Sequence, residues 1–428
     1  MAAGLSGEGA FLRFWSAQAI SAVGSRITTT ALPILAVMTI GATEEAVATL
    51  SAIAMAPGVL VGLTMGGHVD RRRKRPLLIG SDLVRAGLLL TVPAAAWLGV
   101  LGMGQLYVVA AINGAAYSLF AIADNAYLPT LIGRELLVEG NSKLETTEAI
   151  AEISGPALGG ILVQAITAPL AIVLDAVSFL ASAVLLASIR RDEVPAAGVE
   201  DRPTALGDLR FGLRAVLGNP LVRPEFLAEA VASLSSGAFV GLYTIYAIRT
   251  LGLSPAGLGA VIGCGGVGAL FGAMLAGRLA RRLGFGPAMV ACLAIGRAAG
   301  LLIPLARGPE WLAYSCLVGH QLVGDGFLVA SSILAVSLRQ SVLRQEALGR
   351  ANAVFHVSSG LLLPLGAVVA GLIAAASDAR TALWIGTLGG LLTPLIVGLS
   401  AVAGLRAIPI QPAAHVPRTI TAGAEEPA

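Results

Sequence analysis

The chain has 428 residues, 56% of them apolar and only 12% charged, with 28 Lys and Arg against 25 Asp and Glu. A soluble domain carries roughly 25% charged residues, so this fraction and a mean hydropathy of +0.84 exclude an ordinary soluble enzyme or binding module. The net charge of +3 is scattered over short connections, which gives no basic face for nucleic acid, and no nucleic-acid partner is expected.

Apolar blocks predict helices over residues 12–38, 47–69, 77–98, 104–131, 143–165 and 169–189, then 224–248, 256–277, 287–306, 311–337, 347–376 and 381–404. Each is long enough to cross a bilayer, which takes about 20 residues. The expected fold class is an all-α integral membrane protein. It comprises an N-terminal bundle (1–189), a cytoplasmic linker (190–223), a C-terminal bundle (224–405) and a disordered cytoplasmic tail (406–428). The first apolar block is long and ends at no small-residue cleavage site, so no cleavable signal peptide is expected. The 53 glycines suit close helix approach in lipid.

On the first helix, Arg26 falls near mid-membrane, where an unpaired guanidinium is implausible. Asp124 on the fourth helix and Glu152 on the fifth are its expected partners, as a fixed ion pair or as a proton-coupled switch. Between the second and third helices runs Gly66-Gly67-His68-Val69-Asp70-Arg71-Arg72-Arg73-Lys74-Arg75, an acid and five bases that must lie in water. Counting all connections, 22 Lys and Arg fall on the side of this run and of the termini. Only Arg249, Arg307 and Arg380 fall opposite. The bias places both termini in the cytoplasm.

The fifth helix carries Gly155-Pro156-Ala157-Leu158-Gly159-Gly160. Glu148, Glu152, Gly155 and Gly159 on it step by four, three and four, which puts them on one stripe. Asp175, Glu229 and Asp325 are further acids at membrane depth. With Arg26, Asp124, Glu148 and Glu152 they make the candidate set for proton coupling or for lining a substrate cavity. Arg85 and Arg297 occupy matching places in the two halves, which favours a structural role. His356 is a lone histidine near the start of the eleventh helix.

Within the linker, Leu206, Leu209, Leu213, Val216 and Leu217 share a face opposite Asp208, and an amphipathic helix at the cytoplasmic interface is expected. The halves repeat each other: the 66–72 run aligns with Ala276-Gly277-Arg278-Leu279-Ala280-Arg281-Arg282, which keeps its arginines and loses the acid. No phosphate-binding glycine loop precedes Lys74 or Lys143, the two lysines of the chain, so no ATP site and no cofactor are expected. The cysteines Cys264, Cys292 and Cys316 and the four dispersed histidines form no metal motif and no nucleophile–base pair. Neither a metal site nor an enzyme is expected.

The Gly66–Arg75 run resembles the loop signature Gly-x-x-x-Asp-Arg-x-Gly-Arg-Arg/Lys of the major facilitator superfamily. Gly66, Asp70, Arg71, Lys74 and Arg75 match; His68 and Arg73 stand where a leucine and a glycine are usual. The resemblance implies a loop that packs on the opposite bundle and holds one access state. Gly155, Pro156, Gly159 and Gly160 resemble the core of that family's antiporter signature, with Ala151 in place of its upstream glycine. Together with Asp82-Leu83-Val84-Arg85-Ala86, Leu128-Pro129-Thr130-Leu131-Ile132 and Leu174-Asp175-Ala176-Val177-Ser178-Phe179-Leu180, these strings look like the drug-exporter branch of macrolide efflux and enterobactin-type siderophore exporters. In that branch Gly24 is often followed by an aspartate, where this chain has Ser25, and weight shifts to Asp124 and Glu152.

The resemblance implies twelve helices in two six-helix bundles. It also implies a monomeric multi-pass transporter of the cell (plasma or inner) membrane, whose partners are a small-molecule substrate, protons and the bilayer. The expected activity is proton-coupled export of amphipathic compounds by alternating access. A facilitator or a lipid or lysolipid flippase of the same fold is the alternative, and a non-transporting membrane receptor a more distant one.

Overall fold

The computed structural model describes residues 8–70, 72–132, 136–190 and 205–408. Twelve helices are long and apolar enough to span a membrane. The first six are α1 (Gly9–Ile40), α2 (Glu44–Asp70), α3 (Lys74–Trp97), α4 (Met103–Leu131), α5 (Leu137–Ile166) and α6 (Ala168–Ala187). A shorter helix, α7 (Ala205–Gly218), precedes α8 (Val222–Thr250), α9 (Pro255–Leu283), α10 (Phe285–Leu305), α11 (Glu310–Val342), α12 (Gln345–Ala376) and α13 (Ala379–Gly398). All expected spans are present, several of them longer than hydropathy indicates. Arg71, the 191–204 part of the linker and the 409–428 part of the tail lie outside the described residues, as do the side chains of Gly66 and Asp70.

Within the first bundle α1 packs on α5 and α6, α3 on α4 and α6, and α2 on α4. Within the second, α8 packs on α12 and α13, and α11 on α9 and α10. The halves meet chiefly through α5 against α9 and α2 against α12. The repeat between them extends to fine structure: α1 ends in a π-helical turn, Ala36–Ile40, and α8 in another, Tyr246–Thr250. Each is followed by a glycine in the left-handed region, Gly41 at φ 73° and Gly252 at φ 72°, a conformation only glycine adopts without strain.

The hydrophobic core is continuous across both halves at one end of the molecule. There Ile34, Leu35, Val47 and Ala48 join Leu242, Tyr246, Leu258 and Ala374 in one buried cluster. At the other end it divides. Phe11, Phe14, Tyr127, Leu131 and Leu186 form a cluster inside the first half, and Val216, Phe285, Leu338, Phe355 and Val402 form another inside the second. The divided end carries the α2–α3 connection and α7. The molecule is thus sealed on one side and parted on the other.

The charged run between α2 and α3 is mostly helix. Among the described residues the chain leaves helical geometry here at Arg72 and Arg73, because hydropathy marks where hydrocarbon ends and not where backbone hydrogen bonding ends. Arg75 donates from Nε to the Leu186 carbonyl at 2.8 Å and from Nη2 to that of Ala187, while Arg13 donates to the Ser188 carbonyl at 2.8 Å. Both guanidinium groups therefore serve the C-terminal end of α6, where free carbonyls and the helix dipole attract cations. Arg75 engages its own half in this conformation.

The expected amphipathic helix is α7. It lies on α12 and α8, with Val216 fully buried and Asp208 paired to Arg350 on α12 at 2.7 Å. Arg350 also stacks 4.7 Å from the Phe211 ring centroid.

Candidate substrate cavity and its ion pairs

A cavity of about 1150 Å³ lies between the halves. From the first half it is lined by Arg26, Thr30, Asn113, Glu152 and Pro156. The second half contributes Glu225, Glu229, Tyr243, Arg297, Gln321, Asp325, Arg339 and His356, among others. Of the sequence-predicted residues, Arg26, Glu152, Glu229 and Asp325 face one space. Glu148 adjoins it as an ion-pair partner, and Asp124 and Asp175 lie elsewhere.

Arg26 Nη2 donates to Glu148 Oε1 at 2.6 Å, and its Nη1 stands 3.9 Å from Glu152 Oε1. The stripe on α5 thus supplies both partners, one helical turn apart. Asp124 does not pair with Arg26 as expected; it accepts a hydrogen bond from Gln18 on α1. Asp175 is buried inside the first bundle, accepting from Ser178 Oγ at 3.0 Å. Close by, Arg85 donates to Ser25 Oγ at 2.9 Å and Asn113 Oδ1 at 3.1 Å, with its guanidinium 3.8 Å from the Phe179 ring centroid.

The second half repeats this device, with Arg297 donating to Ser236 Oγ at 3.1 Å. Ser25 and Ser236, like Arg85 and Arg297, stand about 211 residues apart. In each half an arginine on the third helix, buried in the first half and half-buried in the second, ties itself to a serine on the first.

Sequence reasoning missed the ion pair of Glu225 and Arg339 at the parted end of the cavity. Arg339 Nη2 meets Glu225 Oε1 at 2.6 Å, with the side chains 12% and 5% exposed. Arg339 also donates to Asn352 Oδ1 at 2.9 Å and lies 3.6 Å from the Phe355 ring centroid. Hydropathy put both charges at the ends of spans, where they read as solvated.

The α5 motif has two faces. A side-chain carbon at Gly155 would lie 3.0 Å from Arg26 Cγ, and one at Gly159 would lie 3.2 Å from Ile27 Cα, so both glycines let α1 close on α5 within the first half. Gly160 and the Pro156 carbonyl face the other way, against Gly259 on α9; a carbon at Gly160 would lie 3.1 Å from Gly259 Cα. One short motif therefore packs its own bundle and forms part of the seal with the opposite one. On the far side of that seal, a carbon at Gly371 on α12 would lie 2.7 Å from Ala48 Cβ on α2.

Two helical halves around a shared, ionisable cavity, sealed at one end, define a membrane transporter of the alternating-access kind. The sequence profile of the Major Facilitator Superfamily matches residues 14–342, and the chain belongs to that superfamily. The enterobactin exporter EntS of Salmonella typhimurium (strain LT2) is 26% identical over 391 residues, covering 90% of this chain and 87% of the relative. The uncharacterized MFS-type transporter YfiS of Bacillus subtilis is 27% identical over 218 residues; the match covers 50% of this chain and about half, 51%, of YfiS. Among solved structures, a point mutant of the nucleoside transporter NupG superimposes with a TM-score of 0.76 at 12% identity, covering 91% of this chain and 99% of that one. The chain is accordingly a multi-pass membrane transporter.

Proposed function

We propose that this transporter exports amphipathic small molecules in exchange for protons, and that its structure represents the inward-facing state. The observation that carries the reading is the two-walled cavity, with Arg26 and Glu152 on one wall, Glu148 paired to Arg26 beside it, and Glu229, Arg297 and Asp325 on the other. The distribution of Lys and Arg supports a cytoplasmic position for the parted end and both termini, in a plasma or inner membrane. Residues 1–189 and 224–405 would be the two rocking units, and 190–223 the linker between them. The exporter reading draws on the motif in α5 and on the relative named as an enterobactin exporter.

In the proposed cycle, Arg26 pairs with Glu148 and faces Glu152 while substrate is absent. Protonation of Glu152 weakens that contact and changes the charge of the cavity wall, which biases the balance between access states. Apolar wall residues such as Leu50, Met55, Phe239 and Leu293 accept the apolar body of the substrate.

Everted vesicles test the reading, with Hoechst 33342 and enterobactin as probes. An imposed gradient, acid inside, should drive uptake of at least one of them. Glu152→Gln should cut gradient-driven uptake by about tenfold or more, and Asp124→Asn, off the cavity, by less than about twofold. Probe movement indifferent to the gradient would select a facilitator or flippase.

A further inference from the structure

The charges on the cavity wall do not all cancel locally. Arg339 is taken by Glu225 and Arg26 by Glu148 and Glu152. Arg297 is engaged with Ser236 and feels the charge of Glu229. Asp325, in the π-helical turn His320–Asp325 of α11, lines the cavity with no ion pair or hydrogen bond among the described residues. Glu152 on the opposite wall is close enough for its charge to reach Asp325.

Two further acceptors converge on the same place. Gln321 is 3% exposed and donates from Nε2 toward the Ile262 carbonyl at 3.4 Å, leaving Oε1 buried without a partner. Tyr243 is 4% exposed, and its hydroxyl is also without a partner. Both line the cavity. A native protein seldom leaves a buried polar atom unmet unless a ligand or water meets it. Gly265 on α9 makes room for the group: a carbon there would lie 2.5 Å from Asp325 Oδ2 and 3.1 Å from Gln321 Nε2. Phe239 packs against Tyr243 with centroids 4.4 Å apart and ring planes tilted by 38°, and the two rings add an aromatic surface that attracts cations.

We propose that Asp325, Gln321 Oε1 and Tyr243, backed by Phe239, form a subsite for the protonated amine of an amphipathic substrate. An ammonium group brings N–H donors to the carboxylate, amide and phenol oxygens, and it neutralises an acid of this wall that has no ion pair among the described residues. An anionic head would meet the same oxygens unfavourably, so the subsite selects against acidic cargo. The apolar remainder of the substrate extends toward Leu328 and Leu293. The subsite rests on the reading of this cavity as the transport route, and it adds the charge of the head group that the route accepts.

Binding of monodansylcadaverine, a primary ammonium amphiphile, and of its neutral N-acetyl derivative to the full-length protein in nanodiscs tests the assignment by dansyl fluorescence. The ammonium probe should bind at least about tenfold tighter than the neutral one. Asp325→Asn should abolish that preference while leaving the neutral probe unaffected, and Tyr243→Phe should reduce it several-fold. Equal affinities, no binding of the ammonium probe at about 1 mM, or a preference that survives in both variants would overturn the proposal. The two readings fail separately. A lost preference with intact gradient-driven export removes the subsite alone. An intact preference with no response to the gradient removes proton exchange alone.

Discussion

The cavity's two strongest ion pairs sit in different surroundings, and their removal should differ accordingly. Glu225 and Arg339 are nearly buried, whereas Arg26 and Glu148 are 32% and 45% exposed at the side chain. Removing one partner of a buried pair strands the other charge, at a cost of about 3–5 kcal/mol; an exposed pair contributes about 1 kcal/mol or less. Arg339→Leu should therefore lower the melting temperature of the purified protein sharply, and adding Glu225→Gln should recover part of the loss. Arg26→Gln should leave melting nearly unchanged while altering transport. Equal melting shifts would contradict this ranking.

Individual residues were only partly legible in the sequence. Periodicity put Glu148 and Glu152 on one face of α5, and Arg26 does pair there. It could not choose between Asp124 and the α5 stripe, because Asp124 is taken by Gln18 across a helix contact that no local pattern encodes. Glu225 and Arg339 lie far apart in sequence, and nothing in either segment announces the other.

At the scale of elements, hydropathy located every span but underestimated several ends. The run at Asp70–Arg75 was read as a loop, although the preceding helix includes Asp70 and the following one starts at Lys74. Arg75 shows why: a helix that leaves the hydrocarbon can still use its basic side chain to cap a neighbour, here α6. The π-helical turns in α1, α8 and α11 had no sequence signal, since an extra residue per turn leaves composition unchanged.

The two faces of the α5 motif make separable predictions. Gly155→Val would press on Arg26 within the first bundle and should lower expression and melting temperature. Gly160→Val would press first on the Pro255–Gly259 turn of α9, in the opposite bundle. It should spare folding and open the sealed side instead. In a chain cleared of Cys264, Cys292 and Cys316, a cysteine replacing Val240 in the cavity should then react faster with a membrane-impermeant thiol reagent added from the sealed side, by about threefold or more. Unchanged labelling would mean that the α5–α9 contact does not hold the seal.

Over the whole molecule, the half-to-half repeat is deeper than the loop motif indicated. Arg85 with Ser25 and Arg297 with Ser236 stiffen the two bundles in the same way, and each bundle's first helix ends in a π-helical turn and a left-handed glycine. The copies differ where they act: Arg75 caps α6, while the same offset of about 210 puts Phe285, buried in its own half's cluster, at the corresponding place. With stiff halves, motion must concentrate at the contacts between them, chiefly α5 on α9 and α2 on α12, with the adjoining contacts of α2 and α1 on α8.

Ala48 and Gly371 stand in one of those contacts. A disulfide needs its Cβ atoms about 3.5–4.5 Å apart, which a small outward shift of α12 provides at this pair. Ala48→Cys with Gly371→Cys, in the cysteine-cleared chain, should cross-link on mild oxidation. The linked protein should stop transporting, yet Val240→Cys should still react from the parted side, because the cavity stays open there. Reduction should restore transport. Continued transport by the fully linked protein would show that α2 and α12 need not separate at this end, and alternating access by rocking of the two halves would then be the wrong description of this molecule.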